Sequence, residues 1–257
     1  MEMISSRSNS AVKDAVRLKD RAERESSGRF FCEGVHLAEE FLRFGKPVER
    51  VFATPDAYEK NGALLDSFSD RLTLVTPEVY SKLSDERAPQ GIFIIAPYLD
   101  NVSDSSVKIK KRNVILDSVR DPGNVGTVLR TAAAFGIDRV ILGGCADVYS
   151  SKTVRASMGA LFCVDIVVTD DLAREVSAIT DAGCGVYAAM LSGDAQILSC
   201  GSLPDDFSVV IGNEGSGVSD RIAALCTGYI RIPQSTCAES LNAAVAASVF
   251  MWEMRKR

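Results

Sequence analysis

Hydrophobic positions along this chain fall into two alternating patterns, which together predict an α/β protein. Short runs that are apolar at nearly every position predict buried strands, for example over residues 91–96 and 113–119. Between such runs, apolar residues recur at helical spacing, as do Leu37, Phe41 and Phe44. Strands that alternate with crossover helices form parallel sheets. We therefore expect a parallel sheet with helices on both faces in the second half of the chain.

Residues 97–108 interrupt this alternation. The stretch is rich in serine and aspartate, contains few apolar residues and runs into the basic segment Lys108-Ile-Lys-Lys-Arg112. Such a composition is typical of a linker between domains. We place the boundary at residue 107, which divides the chain into a smaller α/β domain over residues 1–107 and a larger one over residues 108–257.

The composition is typical of a globular protein and argues against membrane-spanning, secreted and zinc-binding proteins. Of the 257 residues, 46% are hydrophobic and 25% are charged, and no apolar run is long enough to span a membrane. The N-terminus lacks the apolar core of a secretory signal. Seven scattered cysteines and a single histidine argue against a zinc site and for reduced thiols, so we expect a cytoplasmic protein without a metal or a membrane partner. A net charge of −5 argues against a protein that coats nucleic acid by charge alone.

The first of three polar runs in the second half is Asp121-Pro-Gly-Asn-Val-Gly-Thr-Val-Leu-Arg130. It predicts a helix with Asn124 as its N-cap and Gly136 as its C-cap. Apolar residues at helical spacing predict its buried stripe, and Asn124 and Arg130 share the polar side. The residues alone leave two readings open, a capped helix with an ordinary surface arginine and a helix with a functional face.

The second run, Ile211-Gly-Asn-Glu-Gly-Ser-Gly217, follows a buried strand over residues 208–212. Its glycines permit positive φ and close approach by a ligand, and Ser219 is placed to cap the next helix. The simplest alternative is a plain strand-to-helix turn. A phosphate-binding loop is disfavoured because the glycine spacing is wrong and no Lys-Ser or Lys-Thr pair follows.

The third run extends from Ile230 to Asn242 and leads into the last helix, predicted from Ser240 to about Arg255. Thr236 and Glu239 have the spacing of a capping box, which leaves Ser240 and Asn242 unexplained. The last helix is rich in alanine, so it is either tightly buried or part of a subunit interface.

In this order and at these distances, the three runs resemble the signature motifs of the SPOUT superfamily, in the branch that methylates RNA on the ribose 2′-hydroxyl. The last motif of that branch has Ile-Pro, a short loop and Ser-Leu-Asn, and Ile232 to Leu241 matches its nine-residue spacing. Gln234 and Thr236 depart from the methionine and glycine that are common there. The resemblance implies an S-adenosylmethionine cofactor, a trefoil knot in the parallel α/β domain and a homodimer.

The resemblance also implies roles for individual residues. Arg130 either binds the phosphate beside the target ribose or helps to remove the hydroxyl proton, and physical chemistry favours the first because a guanidinium stays protonated. Residues expected on the catalytic side are Asn124, Arg130, Glu214, Ser240 and Asn242. Residues expected to bind the cofactor are Ala189, Gly212, Ile232 and Leu241. Residues expected to contact RNA are Arg130, Lys152 and Arg155.

Two upstream segments, Phe31-Cys-Glu-Gly34 and Pro89-Gln-Gly91, resemble the small α/β RNA-binding domain often fused ahead of this catalytic domain. The sequence therefore predicts an enzyme that methylates the ribose 2′-hydroxyl in RNA, with 23S ribosomal RNA favoured over tRNA. A tRNA methyltransferase and a catalytically inactive, knotted RNA-binding protein are the alternatives. A nucleotide-dependent oxidoreductase would need a dinucleotide-binding glycine fingerprint, which the first run does not supply.

Overall fold

A computed structural model describes residues 3–105, 108–199, 203–204, 206–235, 237 and 240–255. The chain forms two compact units. The N-terminal unit contains the residues up to Leu99 together with Asp147–Phe162. The C-terminal unit contains Asp100–Ala146 and the residues from Cys163 onward.

The N-terminal unit is built on a five-stranded mixed sheet with the order β1-β4-β3-β5-β2. Strand β5 runs antiparallel to β2 and β3, while β4 is parallel to both of its neighbours. Phe31 and Phe93 stack in its core with ring centroids 4.9 Å apart. The elements of this unit are β1 (Met3–Ile4), α1 (Ser10–Arg17), α2 (Arg21–Ser27), β2 (Arg29–Glu33), α3 (Val35–Arg43), β3 (Arg50–Ala53), α4 (Pro55–Asp66), β4 (Leu72–Val75), α5 (Pro77–Leu83), β5 (Ile92–Pro97) and, later in the chain, α7 (Ser151–Ser157).

The C-terminal unit is built on an eight-stranded sheet with the order β11-β13-β10-β12-β7-β8-β9-β6, and every described strand pair in it is parallel. Helices flank this sheet, which confirms the predicted α/β class. The trefoil knot stays a prediction. The elements are β6 (Val102–Ser103), β7 (Asn113–Asp117), α6 (Pro122–Phe135), β8 (Arg139–Gly143), β9 (Ile166–Thr169), α8 (Leu172–Asp181), β10 (Gly185–Ala189), β11 (Gln196–Ile197), β12 (Phe207–Ile211), α9 (Asp220–Ala223), β13 (Gly228–Arg231) and α10 (Ala243–Met254).

Residues 97–108, which were interpreted as a linker, contain strand residues in the structure. Pro97 is the last residue of β5, and Val102–Ser103 forms the edge strand β6, which pairs with β9. Asp147–Phe162, which the boundary at residue 107 assigns to the second domain, groups with the N-terminal unit. The domain boundary itself stays a prediction, because spatial grouping does not test where an independently folding domain ends.

Two predicted helix starts are shifted in the structure. Helix α6 begins at Pro122, and its N-cap is Asp121 rather than Asn124, because the Asp121 carboxylate accepts a 2.8 Å hydrogen bond from the Asn124 backbone N–H. Proline at the first helical position explains the earlier start, since its missing N–H needs no partner there. The last helix begins at Ala243, not at Ser240. Gly136 is the C-cap of α6 with φ of 64°, as expected.

Candidate active site

A cavity of about 600 Å³ opens in the C-terminal unit where β10, β12 and β13 end. Because these strands are parallel, their carboxyl ends meet at one edge of the sheet, where ligands of α/β proteins commonly bind. The walls of the cavity come from three chain segments that follow these strands, from residues 240–242 and from α10. The lining residues are Ala189, Met190, Leu191, Ile211, Gly212, Asn213, Glu214, Gly215, Ser216, Gly217, Val218, Ile230, Arg231, Ile232, Gln234, Ser240, Leu241, Asn242, Ala243, Ala246 and Phe250.

All four residues expected to bind the cofactor line this one cavity, although they lie up to 52 positions apart (241 − 189). Three of the residues expected on the catalytic side line it as well, namely Glu214, Ser240 and Asn242. Gln234 is in the wall, whereas Thr236 and Glu239, the expected capping box, lie outside the described residues. The individual roles of these residues stay predictions.

Gly212 has no room for a side chain. A Cβ atom there would lie 2.0 Å from the carbonyl carbon of Gly217 and 2.1 Å from the backbone nitrogen of Val218. Residues 212–217, here called the glycine loop, fold back on themselves through two backbone hydrogen bonds between Asn213 and Gly217, of 3.0 and 2.9 Å. Gly217 has φ of 72°, so it is the glycine of this loop that needs the left-handed region. Gly212 is therefore required by close backbone packing.

Two short side chains fix the glycine loop further. The Asn213 side chain accepts hydrogen bonds from the backbone N–H groups of Gly215 (2.9 Å) and Ser216 (3.2 Å), and donates one to the Ser118 carbonyl (2.8 Å). Ser219 is at the N-cap position of α9, as expected, but its hydroxyl donates to the buried Asp117 carboxylate at 2.7 Å and makes no capping hydrogen bond to the helix. The end of β7 and the glycine loop are thereby held together.

A hydrogen-bond network joins the three polar runs at the rim of the cavity. The Asn124 side chain, on the first turn of α6, donates to Glu214 at 2.8 Å. The Asn242 side-chain N–H donates to the side-chain oxygen (Oδ1) of Asn124 at 3.0 Å. The side-chain oxygen (Oδ1) of Asn242 in turn accepts from the backbone N–H groups of Ala244 and Val245, which makes Asn242 the N-cap of α10. Both ends of the Asn124 amide are therefore fixed in orientation.

Glu214 is the acidic group of this network. Partial burial raises its pKa, but hydrogen bonds from the Asn124 side chain and from the backbone N–H groups of Arg120 and Asp121 together leave the pKa below its ordinary value. Hydrogen bonds to a carboxylate favour its charged form. Glu214 is thus an anion at neutral pH and accepts hydrogen bonds only.

The residues expected to contact RNA are not brought to the cavity. Arg130 is exposed on α6, does not line the cavity, and makes no ion pair or hydrogen bond within the described part of the chain. It lies about 120° around the helix from Asn124, so the two do not share one side as predicted. Lys152 and Arg155 lie on α7 in the N-terminal unit, and Arg155 pairs with Glu86 at 3.3 Å.

Arg231 is a cavity residue that sequence patterns did not reveal. It is the only cation among the described lining residues, and its Nε atom is buried without a hydrogen-bond partner in the described structure. Buried polar groups nearly always have a partner, so this atom is suited to a ligand or an ordered water. The available signal was a charged residue ending the otherwise apolar strand Tyr229-Ile-Arg231.

The cavity suits an organic cofactor better than a metal ion. Its volume falls within the range of about 300–1,000 Å³ that is typical of small-molecule sites. Its walls combine apolar side chains such as Leu241 and Phe250 with the backbone of the glycine loop. Among the described residues, no group of three or more His, Cys, Asp or Glu side chains could hold a metal ion. Within the same residues, no helix is both long and apolar enough to cross a membrane.

Comparison with known families agrees with this geometry. Residues 111–252 match the model of the SpoU rRNA Methylase family, which covers more than half of the chain. Residues 9–94 match the MRM3-like substrate binding domain. The chain belongs to the SpoU rRNA methylase family and carries an MRM3-like substrate-binding domain ahead of the region that matches this family.

Individual relatives match almost the whole chain. The 23S rRNA (guanosine(2553)-2′-O)-methyltransferase RlmP of Bacillus subtilis is 29% identical over 99% of this chain and 100% of its own. An AdoMet-bound rRNA methyltransferase from Sinorhizobium meliloti superposes with a TM-score of 0.80 at 28% identity, covering 98% of this chain and 97% of that one. The SpoU methyltransferase AviRb from Streptomyces viridochromogenes, in complex with AdoMet, gives a TM-score of 0.80 at 25% identity over 96% and 97%.

Proposed function

We propose that this protein is an S-adenosylmethionine-dependent methyltransferase that acts on the ribose 2′-hydroxyl of a nucleotide in RNA, with 23S ribosomal RNA as the favoured substrate. The observation that carries the proposal is the network of Asn124, Glu214 and Asn242 at the rim of a cavity lined by all the residues expected for the cofactor. The rRNA 2′-O-methyltransferase named among the relatives supports the choice of substrate.

The cofactor would lie in the cavity. When bound, it supplies an activated methyl group on a sulfonium sulfur. Ile232 and Leu241 would flank the adenine, and the glycine loop would approach the cofactor through backbone groups that no side chain obstructs at Gly212. Arg231 would pair with the carboxylate of the methionyl part, because it is the only cation among the described lining residues.

Transfer needs the 2′-oxygen aligned with the methyl carbon. The oxygen–carbon bond forms as the carbon–sulfur bond breaks, and the hydroxyl proton is released to water. Asn124 would hold the hydroxyl, since its amide has a fixed orientation and keeps one N–H and one lone pair unused within the described network. The lowered pKa of Glu214 makes it a weak base, so its role is to orient Asn124. Arg130 would bind the phosphate beside the target ribose as a fixed charge.

The test is methyl transfer from tritiated S-adenosylmethionine to an unmodified 23S ribosomal RNA transcript, followed by alkaline hydrolysis. Alkaline cleavage of RNA needs a free 2′-hydroxyl, so we expect the label in alkali-resistant dinucleotides. Label in mononucleotides would mean base methylation and would contradict the proposal. Cofactor binding without transfer to this RNA or to tRNA transcripts would favour the inactive RNA-binding alternative, and transfer to tRNA alone would favour the tRNA enzyme.

A homodimer is part of the same proposal. Val245 and Trp252 are about half exposed and lie seven residues apart on α10, so they share one side of the helix. Exposed apolar side chains grouped in this way are typical of subunit interfaces. Sedimentation at micromolar concentration is expected to give twice the 27.6 kDa mass of the chain, and a Trp252→Glu variant should shift it to the monomer mass.

A further inference from the structure

Residues 84–91, here called the clamped loop, connect α5 to β5 in the N-terminal unit and are held by a buried carboxylate. Glu33, at the end of β2, is 8% exposed. It accepts a 2.8 Å hydrogen bond from the backbone N–H of Asp85 and a second, short one from the Ser84 hydroxyl. A buried carboxylate is stable only when it is hydrogen-bonded. Two of its partners are in the loop, and the third is the Tyr80 hydroxyl on α5, which donates at 3.4 Å. Glu33 therefore fixes the first part of the loop.

Three more side chains and one backbone N–H hold the same loop. Lys19 donates to the Ser84 carbonyl at 3.0 Å and forms an ion pair with Asp85 at 2.8 Å. On the other side, α7 provides a hydroxyl and a guanidinium. The contacts that complete the clamp are Ser151 Oγ to the Asp85 carboxylate at 3.3 Å, Arg155 to Glu86 at 3.3 Å, and the Val35 backbone N–H to the Gln90 side chain at 2.8 Å. The loop is thus ordered at its start, middle and end.

The clamped loop and α7 together present two cations that have no acidic partner among the described residues. The two acids of the loop are both paired, Asp85 with Lys19 and Glu86 with Arg155. Arg87 in the loop and Lys152 on α7 are exposed, and neither has an ion pair or hydrogen bond among the residues that the structure describes. An ordered backbone that presents two uncommitted cations binds a polyanion with little loss of conformational entropy.

We propose that the clamped loop and the first turn of α7 form an RNA-binding surface of the N-terminal unit, in which Arg87 and Lys152 contact backbone phosphates. The choice of RNA as the partner rests on the proposed function. Phosphate contacts position a protein on nucleic acid without reading sequence. In this arrangement Glu33 is a positioning residue, because it holds the loop and is itself withdrawn from solvent.

The test is filter binding of the full-length protein to an unmodified 23S ribosomal RNA transcript over a range of salt concentrations. The Arg87→Ala/Lys152→Ala double variant should bind the RNA about tenfold more weakly than the parent. The slope of log K for RNA binding against log salt is negative, and it should become shallower by roughly 1.5, as expected for two lost phosphate contacts. The matched control is Lys60→Ala/Arg71→Ala, which removes two exposed cations elsewhere in the same unit. The RNA affinity of the control variant should stay within about twofold of that of the parent.

Glu33→Gln tests the positioning role separately. Glutamine is neutral and close in shape, but it presents an N–H group toward donors of the loop, so the loop should lose order while both cations remain. We expect RNA affinity to fall about threefold or more while the binding of S-adenosylmethionine is unchanged, which also reports on folding.

Two outcomes would overturn the inference in different ways. If the parent transfers methyl groups to RNA but the double variant binds like its control, the surface is wrong and the proposed function stands. If the parent neither binds RNA nor transfers methyl groups, the proposed function fails and this inference fails with it.

Discussion

The glycine loop of the C-terminal unit and the clamped loop of the N-terminal unit are both ordered, but by different means. Close backbone contact at Gly212 and the short side chain of Asn213 fix the glycine loop. Long charged side chains, among them Lys19 and Arg155, fix the clamped loop. The first arrangement leaves backbone groups free to face a small ligand, whereas the second leaves exposed cations free to face a polyanion. The means of ordering thus indicates the kind of partner.

The most disruptive change should be Gly212→Ala in the glycine loop, because it affects folding and cofactor binding together. The added Cβ would lie 2.0 Å from backbone atoms that cannot move without breaking the loop. We expect a loss of about 2 kcal/mol or more in the free energy of unfolding, together with loss of cofactor binding. Urea unfolding and titration with S-adenosylmethionine measure the two effects. Gly193→Ala is the control, because nothing lies within 4 Å of its Cβ position. Parent-like binding by Gly212→Ala would mean that the loop does not form the cofactor site.

Asn124→Ala should separate cofactor binding from chemistry. Asn124 is hydrogen-bonded to Glu214 and Asn242 but does not line the cavity. We expect methyl transfer to RNA to slow by about 100-fold, or about 2.7 kcal/mol, while the Kd for S-adenosylmethionine changes by less than about threefold. Thr127→Ala, one turn further along α6, is the control and should be nearly silent. Equal losses in transfer and in cofactor binding would place Asn124 in the cofactor site instead.

Arg231→Met should weaken S-adenosylmethionine binding by about tenfold, since a charge-assisted hydrogen bond contributes about 1.5–3 kcal/mol. Binding of 5′-methylthioadenosine, which lacks the carboxylate, should not change. Titration of both ligands shows whether Arg231 recognises the carboxylate. Arg174→Met, at an exposed arginine of the same unit, is the matched control. If both ligands weaken together, Arg231 supports the cavity wall and does not recognise a carboxylate.

The smallest expected effect is the pH dependence contributed by Glu214. Its pKa is lowered in the folded protein, so it contributes stability above its ordinary value of 4.5, and this contribution is lost as the pH falls through the lower, folded-state value. Because Glu214 is largely exposed, the contribution should be less than about 1 kcal/mol. Unfolding midpoints of the parent and Glu214→Gln should differ at pH 7 and converge as the pH falls below the folded-state pKa of Glu214. If the difference in unfolding midpoint between the two proteins grew as the pH fell, the pKa of Glu214 would be raised by folding, which would contradict the hydrogen bonds assigned to it.

The sequence predicted the C-terminal unit better than the N-terminal one, for a physical reason. Residues of the glycine loop and of the last motif act within a few positions of each other or at strand ends, so their spacing is visible in the chain. Ala189, Ile232 and Leu241 accordingly line one cavity. The exact start of a helix was harder to predict. Asp121 and Asn124 are both good caps, and only Pro122 distinguishes where α6 begins.

The clamped loop could not be predicted, because its contacts join distant positions. Glu33 lies about fifty residues before its partners, and Arg155 about seventy residues after Glu86. No local periodicity encodes such pairs. The same is true of β6, whose two residues pair with β9 more than sixty positions away and resemble a linker in composition.

The most direct test of the cavity as a cofactor site is calorimetric titration of S-adenosylmethionine into the parent protein and into Leu241→Arg. Leu241 lines the cavity, so an arginine there would fill it with a charged side chain. The control is Leu42→Arg, at a leucine of the N-terminal unit that is 41% exposed. We expect micromolar binding to the parent and to the control, and none to Leu241→Arg. Absence of binding to the parent, or equal binding to all three proteins, would contradict it.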